Sequence, residues 1–290
     1  MPLQKYVAVR EEDFNECFET YSLNYTSDGA APVKINMHAL KLNEFKQPCA
    51  KRLSKKIIYS YLVPYCLKDV KRSGSSKGEV EVWAEARDLF RMQKKTGEVG
   101  ELILYFFVEA LLKAPQILCK MGLKTNANDE VKGADGVHAI LSEDRSLLKL
   151  FLGEAKTYQD FASALNSTFE SIESLVTTKK IDHEYFLVSE HFRILDADLK
   201  DTIVTLIEKR NIEPVFACLI SYDEDKYTNI DYIKDHPKFM DQIFANYVAK
   251  INAKINSDIL FQRLEFNFFL LPTDSVEILR KEFLARLEGS

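Results

Sequence analysis

The stretch LILYFFVEALL, Leu102–Leu112, sets the first constraint on any fold this chain can adopt. It is the longest apolar run, too short to cross a bilayer, and it carries Glu109. It lies within TGEVGELILYFFVEALLKAP, where Thr96 can cap a helix and Pro115 marks its stop. A helix apolar nearly all round belongs in an interior, so the rest of the chain must supply a core around it. With 290 residues, 46% of them apolar, it can do so as one large domain or two modest ones. Glu98 and Glu101 sit at the start of this helix, one turn apart on one face. The helix dipole favours acids there. Glu101 lies deeper, where burial without a cation is costly, so it is the stronger site candidate and Glu98 the alternate.

The formal net charge of −5 argues against a polybasic nucleic-acid binder while leaving room for a local basic groove. The five cysteines are scattered, odd in number and without a CxxC pair, as expected of reduced thiols in a cytosolic protein. No two Cys or His stand at zinc-ligand spacing. The N-terminus lacks a basic-then-apolar signal layout. These features together predict a soluble cytoplasmic protein with no membrane association.

In the first hundred residues, KYVAV and PVKINMHAL read as strands, and QPCAKRLSKKIIYSYLVPYCL as a helix that Pro64 ends or bends. KRSGSSKG, residues 71–78, reads as a linker. The expected organisation is an N-terminal α+β region over 1–72 and a main domain over 79–290. EVEVWAEARDLFRMQKK then reads as helical, and the buried helix follows. Next, GVHAIL and LLKLFLGEAK read as strands of a hairpin turning at SEDRS. Phe161, Leu165, Phe169, Ile172 and Val176 recur at helical spacing. DHEYFLVSEHF is ambiguous between strand and helix. Beyond it come a helix (ADLKDTIVTLIEKRN), a buried strand (EPVFACLISY), a helix (PKFMDQIFANYVAKINAKI), a strand (LFQRLEFNFFLLP) and a closing helix (SVEILRKEFLARL). Strands alternating with helices indicate an α/β or α+β fold.

The hairpin carries the chemistry. Asp135 heads its first strand; Glu154 and Lys156 end its second. Residues two apart on a strand share a face, so Glu154 and Lys156 point the same way. Carboxylates at adjacent strand ends can hold Mg²⁺ with waters and a substrate phosphate. The neighbouring ammonium can orient or help deprotonate the attacking water and offset charge on the phosphate. Lys120, Lys124 and Lys132, just before the hairpin, are candidates for tracking phosphates, and Gln159 for touching a phosphate or the metal's water. A turn at Asp135-Gly136, a solvated ion pair at the strand end and a solvated lysine loop are the plainer alternatives. No GxxxxGK[ST] loop occurs, so no ATP site is expected in this chain.

A helical Glu, an Asp heading a strand and an ExK triplet on the next strand, here Glu101, Asp135 and Glu154-Ala155-Lys156, resemble the PD-(D/E)xK nuclease superfamily. Ala134 stands where that superfamily's name has Pro. The longer wording GEVGELILYFFVEALLKAPQILCKMGLKTNANDEVKGADGVHAIL…LFLGEAKTYQD is similar to the HamA family, the nuclease subunits of the bacterial Hachiman antiphage system, which include AbpA-like relatives. The similarity is dense over roughly residues 85–160. It implies a restriction-endonuclease-like core, a mixed central sheet flanked by helices with an N-terminal extension. It further implies a Mg²⁺-dependent DNA endonuclease, with Mn²⁺ able to substitute, controlled by a separate superfamily-2 helicase subunit (HamB-like). Glu101, Asp135 and Glu154 would hold metal and Lys156 would position water. A catalytically silent subunit of the same fold, or a nuclease for RNA or structured DNA, remain the alternatives.

Overall fold

The computed structural model describes residues 1–26, 31–45, 47–67, 78–90, 97–120, 133–194, 196–228 and 236–288. Its strands are β1 (Phe18–Thr26), β2 (Pro32–Leu40), β3 (Gln116–Leu118), β4 (Gly136–Leu141), β5 (Leu148–Thr157), β6 (Ile212–Asp223) and β7 (Glu265–Thr273). They form one mixed sheet in the order β1-β2-β7-β6-β5-β4-β3. β2, β7, β6 and β5 run parallel, while β1, β4 and β3 pair antiparallel with their neighbours.

Both faces of this sheet are covered, and the strand sequences show why. On β6, Phe216, Cys218 and Ile220 enter one core and Val215, Ala217 and Leu219 the other. On β5, Leu148, Leu150 and Leu152 face the first core, Phe151 and Ala155 the second. Parallel strands buried on both sides read as continuous apolar runs for this reason. The first core is closed by α5 (Phe161–Thr177), α6 (Lys180–His191), α7 (Ala197–Glu208), α8 (His236–Asn256) and the single turn α9 (Ile259–Gln262). The second is closed by α1 (Glu11–Cys17), α2 (Ala50–Cys66), α3 (Glu79–Leu89), α4 (Glu98–Phe107) and α10 (Val276–Glu288). The mixed sheet flanked by helices is the architecture expected. Among the described residues no helix is long and apolar enough to cross a membrane.

The all-apolar helix is buried as its composition requires, with Leu102, Ile103, Phe106 and Phe107 inaccessible in the second core. It continues past α4 as a π-helical turn, Val108–Leu112. Glu109, the odd acid in that run, accepts backbone N–H bonds from Ala8 (2.6 Å), Val9 (3.2 Å) and Gln116 (3.0 Å). Burial pushes its carboxyl above the usual range despite these donors. The same contacts correct the strand expected at KYVAV: residues Gln4–Tyr6 form a 3-10 turn, and the amides that follow bond to Glu109 instead of a ladder.

Pro64 lies inside α2 and does not itself end it; the helix runs on for two residues to Cys66. Its last carbonyls are taken by the buried Arg193, which donates to Pro64 O and, at 2.7 Å, to Leu67 O. The ambiguous segment DHEYFLVSEHF is helical as far as His191, within α6, and Phe192 after it bridges to Leu118. The segment 1–72 lends β1 and β2 to the common sheet, β2 lying parallel to β7 from Val33↔Phe266 to Met37↔Leu270. Apart from Gly78, the linker read at 71–78 lies outside the described residues, as does Thr96.

Candidate active site

The β4/β5 ladder decides where the acids go. Gly136 pairs with Gly153, which sets Asp135 beside Glu154 at the mouth of the hairpin. The Asp135 amide donates to Gly153 O at 2.8 Å, and the Ala155 amide donates to Asp135 Oδ2 at 2.7 Å. Two residues on, Lys156 shares the face of Glu154, and its Nζ stands 2.7 Å from Glu154 Oε1. All three open into one cleft of about 410 Å³, whose far wall is α5 with Ser167, Glu170 and Ser171. Asp135 and Glu154 thus line the same cleft from neighbouring strands.

The electrostatics are those of crowded carboxylates. Burial, then the charges of Glu154 and Glu101, push the Asp135 carboxyl well above its usual range; the Ala155 N–H and Lys156 offset only part of this. For Lys156, burial favours the neutral amine, but the charge and hydrogen bond of Glu154, joined by Asp135, outweigh it and raise the pKa. Without a cation on those carboxylates, Lys156 is therefore held as an ammonium, suited to orienting a water or phosphate oxygen.

Glu101 arrives from the opposite face of the sheet. α4 packs tightly there: a Cβ on Gly100 would stand 2.9 Å from Thr157 Oγ1 and 3.4 Å from Ala155 Cβ. That close approach brings the charge of Glu101 to bear on Asp135. Tyr65, on α2, donates its hydroxyl to Glu101 Oε2 at 3.4 Å. Glu98, one turn earlier, is buried. Neither glutamate lines the cleft itself.

Among the described residues, no three His, Cys, Asp or Glu side chains form a ready-made metal set. The donor chemistry nevertheless fits a hard divalent cation. Asp135 and Glu154 offer oxygens from facing strand ends, and the charges of Glu154 and Glu101, which add to burial in raising the Asp135 carboxyl, are ones a cation would offset.

The expected phosphate contacts are placed differently. Lys120 turns inward, its Nζ 2.9 Å from Glu184 Oε1 and bonded to Ala134 O. Gln159 is exposed, its carbonyl accepting from the Asp223 amide at 3.1 Å, and it does not line the cleft. Lys124 and Lys132 lie outside the described residues. Several contributors escaped the sequence reading. Ser167, Ser171 and Ser174 share one face of α5 at spacings of four and three, a signal open to inspection. Lys180, whose Nζ bonds Ser174 Oγ at 2.9 Å, completes that wall. Glu184 sat in the ambiguous segment and gave no sign of its burial.

The fold and site together define a class: an α/β protein with two acids and a lysine gathered at the ends of antiparallel strands. Within it the family is specific. The family model for HamA matches residues 12–287, and the chain belongs to that family. It is accordingly a subunit of Hachiman antiphage defence. A comparison with curated proteins gives no match.

Proposed function

We propose that this chain is the nuclease effector of its defence system, a Mg²⁺-dependent DNA endonuclease restrained or loaded by a superfamily-2 helicase subunit. The observation that carries the proposal is the meeting of Asp135, Glu154 and the Lys156 ammonium in one cleft. Asp135 and Glu154 would hold the metal, with Glu101 adding charge from behind. A bound Mg²⁺ would polarise the scissile phosphate and lower the pKa of the attacking water. Lys156 holds that water in line and offsets charge building on phosphorus. The Ala155 amide fixes the Asp135 carboxylate, so one oxygen stays aimed into the cleft. The net charge of −5 suits an effector that reaches DNA through a partner.

The test is cleavage of plasmid by wild type, Asp135→Asn and Glu154→Gln, with and without Mg²⁺ and the helicase. Of the three proteins only wild type should cut, and only with the metal. Equal outcomes for all three proteins in every condition would remove the assignment, and cutting of RNA in place of plasmid would move it to another substrate.

A further inference from the structure

We propose that Lys120 and Glu184 form a clamp that sets the position of Asp135, and that they are positioning residues for cation binding. The proposal rests on Asp135 and Glu154 being the cation's ligands. Both polar groups of one peptide residue are gripped. The Ala134 amide donates to Glu184 Oε1 at 3.0 Å, and the Ala134 carbonyl accepts from Lys120 Nζ. The two side chains also pair with each other, Nζ to Oε1 at 2.9 Å. Glu184 comes from α6, fifty residues further along the chain, and its side chain is wholly inaccessible.

The turn before the strand is shaped to fit this carboxylate. Gly133 has φ +119°, a conformation that L side chains rarely adopt, and a Cβ there would stand 1.7 Å from Glu184 Oε1. The chain therefore passes directly over the Glu184 oxygen, and Asp135 follows two residues later. Asp135 needs this support because β4 begins only at Gly136, so the ladder does not enclose the residue before Asp135. Downstream, Asp135 is held by Gly153 O and the Ala155 amide; upstream, the clamp is what restrains it.

A stabilising role alone accounts poorly for the choice of residues. A buried ion pair is weak evidence for stability, and apolar residues of similar volume often serve the fold as well. Glu184 Oε2 is buried without a hydrogen-bond partner among the described residues, so the pair is not optimised for burial. What the clamp provides, and an apolar pair cannot, is direction at the Ala134 peptide.

The experiment is calorimetric titration of the full chain with Mn²⁺, alongside thermal unfolding. Its variants are Asp135→Asn, Glu184→Gln and the double replacement Lys120→Met with Glu184→Met. The double variant should fold, unfold cooperatively and bind Mn²⁺ at least tenfold more weakly. Glu184→Gln keeps a carbonyl oxygen for the Ala134 amide, so it should recover most of that affinity. A folded double variant binding Mn²⁺ like wild type overturns the clamp; if the double variant does not fold, Glu184→Gln decides, and tenfold weaker binding there overturns the peptide contact as the cause. Wild type failing to bind, or Asp135→Asn binding unchanged, overturns the cation reading and the clamp's role with it.

Discussion

Taking the ammonium away from Lys156 leaves the neighbouring carboxylates Asp135 and Glu154 without the positive charge beside them, and Lys180 on the cleft wall is bonded to Ser174. The Lys156 side chain is only 20% exposed and its partner Glu154 13%, so the pair is not the solvated surface contact that lysine–glutamate neighbours usually make. Lys156→Met should accordingly lower stability by about 1–3 kcal/mol in the metal-free protein. Its cleavage rate should fall by at least about 100-fold, the scale of losing a positioned proton-handling or charge-offsetting group. Lys156→Arg separates the two effects. It keeps the charge, so most of the stability returns, but a planar guanidinium cannot take the place of a compact ammonium beside the water. Denaturant unfolding and plasmid cleavage of both variants make the check. A wild-type rate in Lys156→Arg would show that charge alone matters at this position.

At the scale of elements, the hairpin and the buried helix meet at Gly153. A Cβ there would stand 2.8 Å from Leu104 Cδ2 on α4 and 3.1 Å from both N and O of Gly136 on β4. Leucine can turn aside, but the opposing backbone cannot. Gly153→Ala should therefore push β4 from β5 beside Asp135 and Glu154, costing about 1–3 kcal/mol as overpacking does. Cleavage should fall further than the loss of folded protein explains, and urea titration with cleavage assays on the folded fraction measures both. This junction also shows what the sequence disclosed. The apolar runs in GVHAIL and LLKLFLGEAK on either side of the polar turn SEDRS announced the hairpin, and the abrupt change to charge at Glu154 announced its open end. β1, FETYSLNYT, went unread although it was legible as well, since Tyr21, Leu23 and Tyr25 alternate with Ser22, Asn24 and Thr26 at the period of a strand, and only its opening FET departs from that pattern. α6 stayed ambiguous because the inward-facing Glu184 interrupts its apolar face and the exposed Phe186 its polar one. Lys120 read as a surface lysine because its partner lies 64 residues away. Side chains that serve the site through tertiary contacts leave no local pattern.

The whole molecule behaves as one cooperative unit if the sheet is the guide, since β2 from the N-terminal segment lies against β7 in the middle of it. Two histidines report on that unity. His38, on β2, is buried among Phe14, Phe107 and Phe269, with Nδ1 3.0 Å from Thr20 Oγ1. His138, on β4, is buried beside Tyr105 with Nδ1 3.0 Å from Ala114 O. Burial lowers each pKa to about 3 from an ordinary 6.5. A folded-state pKa below the unfolded one means that the unfolded chain binds the proton first. Each histidine's contribution is thus intact above about pH 6.5 and is lost as pH falls from there toward 3, at up to about 1.4 kcal/mol per pH unit. Glu109 and Asp135 pull the other way, because burial raises their carboxyl pKa values and protonation relieves them. The wild-type curve is therefore a sum of opposed slopes, and the informative quantity is the difference from a variant. Asn can present an amide N–H where His138 Nδ1 bonds Ala114 O, without a group that charges in this range. His138→Asn should cost stability at pH 7.5 and recover it relative to wild type as pH falls from 6 to 4, at about 1.4 kcal/mol per unit. Because one core layer encloses both rings, His38→Asn should change global unfolding with the same pH dependence, as read by urea titration across that range. A flat difference for His38 beside a sloped one for His138 would mean that the N-terminal strands come away before the rest unfolds, and that the sheet is continuous in geometry but not in cooperativity.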